Sequence, residues 1–104
     1  MMRCSIPYGC FEIQSMPSQP QLAICHGFFV PVHLRGRGLA NKLKKYQAQT
    51  LANLGYDYAT CTVCSSNSAQ KQVLQNAGWR MLASFLSSKT GEPVELWGWT
   101  VKQP

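Results

Sequence analysis

The stretch Val30–Lys45, VPVHLRGRGLANKLKK, decides the fold of this chain. It follows an apolar run and passes from a proline through a basic turn with two glycines into a helix. The first backbone N–H groups of a helix have no partner inside the helix, and the helix dipole places roughly +0.5 charge at that end. Gly36 and Gly38 let the backbone approach a ligand closely, and Arg35 and Arg37 add positive charge beside it. The stretch therefore predicts a strand, a turn and a helix N-terminus that bind a phosphate-bearing cofactor.

The composition limits the class of protein. The chain has 104 residues, of which 45% are hydrophobic, so we expect one domain over residues 1–104 with a single modest core. No apolar run approaches the roughly 20 residues of a membrane span, and the first residues lack the apolar segment of a secretion signal. Five cysteines, an odd number, favour reduced thiols over a disulfide framework. We therefore expect a cytoplasmic protein that does not contact a membrane.

The net charge of +6 is unevenly distributed. No acidic residue lies between Glu12 and Asp57, and the middle of that interval is basic. The basic residues there are Arg35, Arg37, Lys42, Lys44 and Lys45. Such a patch attracts polyanions, and a nucleotide cofactor, a nucleic acid and an acidic membrane surface all fit the charge, as does an ordinary solvated helix face.

The first half of the chain is predicted to form two strands and a helix. Residues 3–13 and 21–30 have the composition of strands, and the two prolines within residues 16–20 indicate a turn between them. Apolar residues then recur at steps of three and four from Leu39 to Leu54, which predicts a helix that packs along one face. The residues of this stripe are Leu39, Leu43, Tyr46, Thr50, Leu51 and Leu54, and Gly55 stands where a helix ends.

The second half is predicted to form a strand, a shorter helix and a hairpin. Residues 56–63 are rich in β-forming residues, and Asn67 or Ser68 can cap a helix that ends at Gly78. The remainder, about residues 79–101, has the pattern of a hairpin. The predicted order is β-β-α-β-α-β-β, an α/β (α+β) protein with a mixed central sheet whose parallel strands are joined through the first helix.

Two motifs on this order resemble the signatures of the GNAT superfamily of acetyl-coenzyme A-dependent N-acyltransferases. The first family signature is Gln or Arg, two residues, Gly, one residue, then Gly or Ala, and residues 35–40 read RGRGLA after an apolar strand end and Pro31. The second is an Asn at the end of the next strand, followed eleven positions later by Gly and an aromatic residue; here Asn67 leads to Gly78-Trp79. The resemblance covers about residues 22–101.

The resemblance implies a GNAT-like fold, acetyl-coenzyme A as co-substrate, and direct transfer of the acetyl group to a primary amine of a protein or a small molecule. It also implies which residues bind the coenzyme, with the pantetheine arm lying along a strand as an added strand does. These residues are Phe29, Val30 and Val32 for the pantetheine arm, Arg35, Gly36, Arg37, Gly38, Leu39, Ala40 and Asn41 for the pyrophosphate, Asn67 for the pantetheine amides and Lys71 for the 3′-phosphate.

Two departures from the family pattern concern the acceptor and the leaving group. The family usually has two helices between its first strands that shape the acceptor pocket, and only residues 16–20 occupy that place here. The chain thus resembles an N-terminally abbreviated member whose acceptor side is completed by a partner subunit or by the substrate. Many members carry a Tyr seven positions after the Asn that protonates the leaving thiolate, and this position is Leu74.

Three residues are candidate catalytic groups. The family commonly uses a carboxylate on the strand before the first helix as the base, but this strand has none. His26 is the nearest group that exchanges protons near neutral pH, although a half-buried histidine with a satisfied hydrogen bond explains it equally well. Cys64 and Ser65 lie where the strand of residues 56–63 ends, close to the expected thioester, and are candidate proton donors to its sulfur.

Other functions remain open at the level of the sequence. Cys61 and Cys64 are three residues apart on a predicted strand and so point to opposite faces, and we expect no metal site. One alternative is a GNAT-like module that binds acyl-coenzyme A with little or no catalysis. Another is a small basic nucleic-acid-binding protein, which predicts a steep salt dependence of binding. A homodimer would cover exposed sheet edges.

Overall fold

The chain folds into a mixed sheet with two helices, and the computed structural model describes residues 1–102 of it. The elements in these residues are β1 (Met2–Ile6), β2 (Gly9–Met16), β3 (Gln19–Phe29), α1 (Leu39–Asn53), β4 (Tyr58–Cys64), α2 (Ser68–Asn76), β5 (Arg80–Leu86) and β6 (Pro93–Thr100). A 3-10 turn, Val32–Leu34, connects β3 to α1. The strand order is β1-β2-β3-β4-β6-β5, in which β3 and β4 are parallel and the other neighbours are antiparallel. The mixed α+β architecture predicted from the sequence is confirmed.

The segment predicted as one strand, residues 3–13, forms two strands. Pro7 and Tyr8 make a tight turn, and Ile6 pairs with Gly9 where β1 and β2 form a hairpin. Proline lacks the N–H group that a continuous strand would donate to its neighbour, so the chain reverses there. The order is therefore β-β-β-α-β-α-β-β, and the predicted order β-β-α-β-α-β-β was wrong by this one strand.

Helix α1 covers the sheet with a stripe that is only partly apolar. Leu43 and Leu51 are fully buried, as the predicted periodicity requires. Tyr46 and Leu54, also assigned to the stripe, are 42% and 50% exposed, whereas no more than 2% of Lys44 or of Gln47 is exposed. The helix therefore presents two polar side chains to the interior, which the apolar spacing did not predict.

The parallel strands β3 and β4 are paired only at their beginnings. Their pairing ends at Ile24 and Thr60, although β3 continues to Phe29. A bulge lies in this continuation, where two residues of β3 oppose one of β2, and it includes Gly27 with φ +65°. The last residues of β3 thus have free backbone groups on the side that faces β4, next to the N-termini of α1 and α2.

The strand β5 forms one edge of the sheet and exposes four large apolar side chains. They are Met81, Leu82, Phe85 and Leu86, each between 49% and 70% exposed. This edge is the kind of surface that motivated the expectation of a homodimer. None of the helices in residues 1–102 has the length and apolar character required to cross a membrane.

We expect Leu51→Ala to lower the free energy of unfolding by about 2–5 kcal/mol, because it leaves a cavity at a fully buried position. Leu54→Ala is the matched control, since the same atoms are removed from a half-exposed position just after the same helix, and its cost should stay below about 1 kcal/mol. Urea denaturation of both variants measures the difference. Equal losses in the two would contradict the packing of α1 described above.

Candidate active site

The turn before α1 presents unpaired backbone amides to open space. The first hydrogen bond of the helix runs from the Lys42 amide to the Gly38 carbonyl at 3.2 Å, so the amides of residues 39–41 precede it. Gly36 and Gly38 have φ of +81° and +72°, which side-chain-bearing residues rarely adopt. A Cβ placed on either would meet nothing within 4 Å, so the space in front of this turn is open. We call residues 35–41 the phosphate turn.

A groove of about 390 Å³, which we call the outer groove, lies in front of the phosphate turn, between the end of β3 and the start of α2. Of the twelve residues that the family resemblance assigns to the coenzyme, nine line this outer groove. Val32, Arg37 and Lys71 lie outside its lining. Four further lining residues were missed in the sequence, and they are Phe28, Ala69, Gln70 and Val73. The helical period of α2, which places residues 69, 70 and 73 on one face, could have identified three of them.

Arg35 fastens the phosphate turn to the end of β3. Its Nε donates to the Val30 carbonyl at 2.8 Å, and its guanidinium carbon lies 5.4 Å from the centroid of the Phe29 ring. The Val30 carbonyl is therefore occupied by the protein itself. The guanidinium has five N–H donors, so four others remain for an anion at the groove.

Asn67 and Lys71 have well-defined partners at the start of α2. Asn67 caps the helix, with Oδ1 accepting from the Gln70 amide at 3.1 Å. Lys71 Nζ donates to the Ser65 carbonyl at 2.9 Å and to Glu95 Oε2 at 3.3 Å. Lys71 thus stabilises the loop after β4 through these two bonds. Its role at the 3′-phosphate stays a prediction, and these contacts do not favour it.

His26 lies between a carboxylate and a carboxamide from the neighbouring strand. Its Nδ1 is 3.2 Å from Glu12 Oε2, and its Nε2 is 3.1 Å from Gln14 Oε1. Glu12 and His26 are cross-strand partners in β2 and β3. β3, the strand of His26, has no carboxylate of its own, and the neighbouring strand β2 supplies one through Glu12. The sequence analysis missed Glu12 because the pairing register, and not the spacing along the chain, brings the two together.

The two candidate proton donors are placed differently, and the position of the family's tyrosine is buried. Cys64 is half-buried and lines the same cavity as His26, described below. Ser65 is turned toward the Lys71–Glu95 pair, where its side chain helps to lower the pKa of Glu95 after the larger effect of the hydrogen bond from Trp97. Leu74 is fully buried in the core and supplies no proton donor.

A second cavity of about 280 Å³, which we call the inner chamber, adjoins the outer groove and shares Phe28, Asn67 and Gln70 with it. It lies between the unpaired part of β3, the end of β4 and the buried face of α1. Lys44 and Gln47 project from α1 into its lining. The outer groove and the inner chamber together extend from the phosphate turn to the point where β3 and β4 separate.

The inner chamber contains a buried ammonium group between two aromatic rings. Lys44 Nζ lies 4.1 Å from the centroid of Trp79 and 4.9 Å from that of Phe28. Burial lowers the pKa of Lys44, while the two rings favour its charged form. Burial also raises the pKa of the Cys25 thiol to about 12 and that of Cys61 above its usual value, so both remain protonated near neutral pH. The stretch of residues 1–102 contains no cluster of three or more potential metal ligands.

The fold has known counterparts among solved structures. No family model matches the sequence, and no curated protein does. Among solved structures, an acetyltransferase of the GNAT family from Streptococcus pneumoniae is similar, with a TM-score of 0.80 and 16% identity over 91% of this chain and 60% of that one. The ribosomal-protein-S18-alanine N-acetyltransferase from Escherichia coli gives 0.77 and 14% over 93% and 63%.

A third similar structure is a Bacillus subtilis acetyltransferase in complex with CoA, with a TM-score of 0.76 and 15% identity over 89% of this chain and 68% of that one. The chain thus spans 60–68% of the length of these three structures. Its fold is that of the GNAT acetyltransferases, as the two sequence motifs predicted.

Proposed function

We propose that this chain is an N-acetyltransferase that moves the acetyl group of acetyl-coenzyme A to a primary amine by direct transfer. The observation that carries the proposal is the continuity of three features: free amides at a helix N-terminus, a groove along an unpaired strand, and a histidine paired with a carboxylate where that strand separates from its neighbour. The five free thiols suit a reducing compartment such as the cytoplasm.

The coenzyme in this proposal follows the outer groove. Its pyrophosphate accepts hydrogen bonds from the amides of residues 39–41 and from Arg35, each charge-assisted bond contributing about 1.5–3 kcal/mol. The pantetheine arm lies along β3 beyond Ile24, where the strand has no partner toward β4, and Asn67 lines its path. The thioester then reaches the bulge at Gly27, between the outer groove and the inner chamber.

The acceptor amine approaches from the sheet face opposite α1. Successive side chains of a strand point to opposite faces, and Cys25 lies near Lys44 of α1, so His26 points to the other face with Glu12 and Gln14. The amine nitrogen attacks the carbonyl carbon of the thioester, forming the C–N bond and breaking the C–S bond. His26 takes the proton that the amine loses, and the departing thiolate takes a proton from the Cys64 thiol or from solvent.

Two measurements test the proposal. Isothermal titration should show one coenzyme A bound per chain, and a panel of small amines and lysine- or N-terminus-bearing peptides should release free coenzyme A thiol from acetyl-coenzyme A. Binding without turnover by any acceptor would instead support a binding module, which the buried Leu74 favours as the second candidate. Absence of coenzyme binding, together with tight and salt-dependent binding of nucleic acid, would support the third candidate.

A further inference from the structure

The inner chamber holds a cation without an anion. Lys44 is 2% exposed, and within residues 1–102 its side chain forms no ion pair and no hydrogen bond, while its Nζ lies over the two aromatic rings. The thiols of Cys25 and Cys61, which lie beside it, are protonated near neutral pH and do not balance its charge. Burial lowers the pKa of Lys44, and an anion bound in the cavity that this side chain faces would pair with the protonated amine and offset that effect.

Gln47 is a second, independent observation at the same place. It is 1% exposed and lines the chamber one helical turn beyond Lys44. Neither its Nε2 nor its Oε1 has a hydrogen-bond partner in the part of the chain that the structure describes. Unsatisfied buried polar groups destabilise a fold and are rare in native structures. Their occurrence on the buried face of α1, beside a cavity, is a departure from ordinary core packing of the kind that functional sites show.

We propose that the inner chamber binds a carboxylate at the far end of the acyl group, so that the preferred donor is the coenzyme A thioester of a short dicarboxylic acid. The proposal rests on the coenzyme site of the proposed function, and it makes acetyl-coenzyme A the shorter and weaker donor. One carboxylate oxygen accepts from Lys44 Nζ and the other from Gln47 Nε2. The methylene groups that precede the carboxylate pack against Phe28, which lines the chamber and whose ring centroid lies 4.9 Å from Lys44 Nζ.

The dimensions and the chemistry of the chamber favour this occupant over an acetyl group alone. The chamber's volume of about 280 Å³ is several times the roughly 30 Å³ share of one liquid water molecule, which leaves room for a longer chain. An acetyl methyl group ends at the thioester and supplies no acceptor to the ammonium or the carboxamide. An uncharged acyl chain of similar length would fill the space but would leave Lys44 and Gln47 unpaired, which costs affinity.

The test compares three thioesters by isothermal titration: succinyl-, butyryl- and acetyl-coenzyme A. Butyryl has the same number of carbon atoms as succinyl but no carboxylate, so the ratio of these two dissociation constants isolates the proposed contact. We expect the wild-type chain to bind succinyl-coenzyme A about 10- to 100-fold more tightly than butyryl-coenzyme A. Equal affinities, with coenzyme A itself still bound, would overturn this inference and leave the proposed function standing. No binding of any thioester or of coenzyme A would overturn both.

Two substitutions identify the residues responsible, and two others serve as matched controls. Lys44→Met and Gln47→Leu keep the approximate shape of each side chain and remove its polar atoms. Each should reduce the preference for succinyl-coenzyme A, which is the dissociation constant of butyryl-coenzyme A divided by that of succinyl-coenzyme A, at least about 5-fold. Lys45→Met and Gln49→Leu make the same changes at exposed neighbouring positions of α1 and should leave the ratio as it is in the wild type. A preference for succinyl-coenzyme A that survives in Lys44→Met would contradict the assignment.

Thermal unfolding without ligand separates a binding role from a structural one. Replacing a buried, unpaired charge or an unsatisfied carboxamide by an apolar side chain of similar volume is often neutral or stabilising. Lys44→Met and Gln47→Leu should therefore unfold at the wild-type temperature or above it. A lower unfolding temperature in both variants would mean that the two side chains support the fold, and the inference would fail.

Discussion

Ala40→Glu should weaken coenzyme A binding by at least about 100-fold while the chain remains folded. The substitution places a carboxylate beside the free amides of residues 39–41, where it competes with the pyrophosphate and repels it. A glutamate in the first turn of a helix interacts favourably with the helix dipole, so the same change does not weaken α1. Isothermal titration with coenzyme A measures the loss, and circular dichroism checks that the helix content is retained.

The control for this substitution is Ala52→Glu, at an exposed position in the last turn of the same helix. It adds the same charge to the same element far from the phosphate turn. We expect it to change the affinity for coenzyme A by less than about 3-fold, because surface charges beyond a Debye length of about 8–10 Å are largely screened. Comparable losses in the two variants would show that net charge, rather than a local phosphate site, drives binding.

The parts of the site that the sequence predicted are those determined by neighbouring residues. The phosphate turn depends on two glycines with positive φ and on the start of a helix, and all of these lie within seven consecutive residues. The cap of α2 at Asn67 is equally local. Such features are readable because turn geometry and capping are set by residue type at fixed spacing.

The parts that the sequence did not predict depend on how strands are paired. The carboxylate beside His26 comes from Glu12, fourteen positions earlier, and only the antiparallel register of β2 and β3 reveals it. That register in turn depends on the turn at Pro17 and Ser18, which joins β2 to β3, and on the register shift between Ser15 and Met16. A shift of one residue would turn Glu12 to the other face of the sheet, so no reading of residue types alone identifies the pair.

The inner chamber was concealed for a different reason. Lys44 belongs to a run of basic residues that fits a solvated helix face. Gln47 is a polar residue of the kind that is common on exposed helix faces, so its type does not indicate burial. Their burial follows from the rotation of α1 on the sheet, which places the exposed Leu54 outward and these two inward. Tertiary packing overrides the local pattern here, and the deviation coincides with a cavity next to the proposed thioester.

The pair of His26 and Glu12 gives the other large expected effect. If His26 is the general base, His26→Ala should lower kcat for acetyl transfer by about 10²- to 10⁴-fold, with the dissociation constant for acetyl-coenzyme A unchanged within about 2-fold. The rate is measured as release of coenzyme A thiol in the presence of the best acceptor from the amine panel, and binding is measured by isothermal titration. A deficit confined to kcat distinguishes a proton acceptor from a residue that only shapes the coenzyme site.

Glu12 acts in this scheme through the imidazole, because its Oε2 contacts His26 Nδ1. The other ring nitrogen, Nε2, is available to the amine when its hydrogen bond to Gln14 is broken. Glu12→Gln should therefore cost less than His26→Ala, and the double variant should be no slower than His26→Ala alone, since the two residues work as a unit. Ser15→Ala is a control on the same strand, whose hydroxyl bonds Tyr56 at 2.7 Å away from this pair. Full activity in His26→Ala would assign His26 to a structural hydrogen bond in the sheet and require a different base for the reaction.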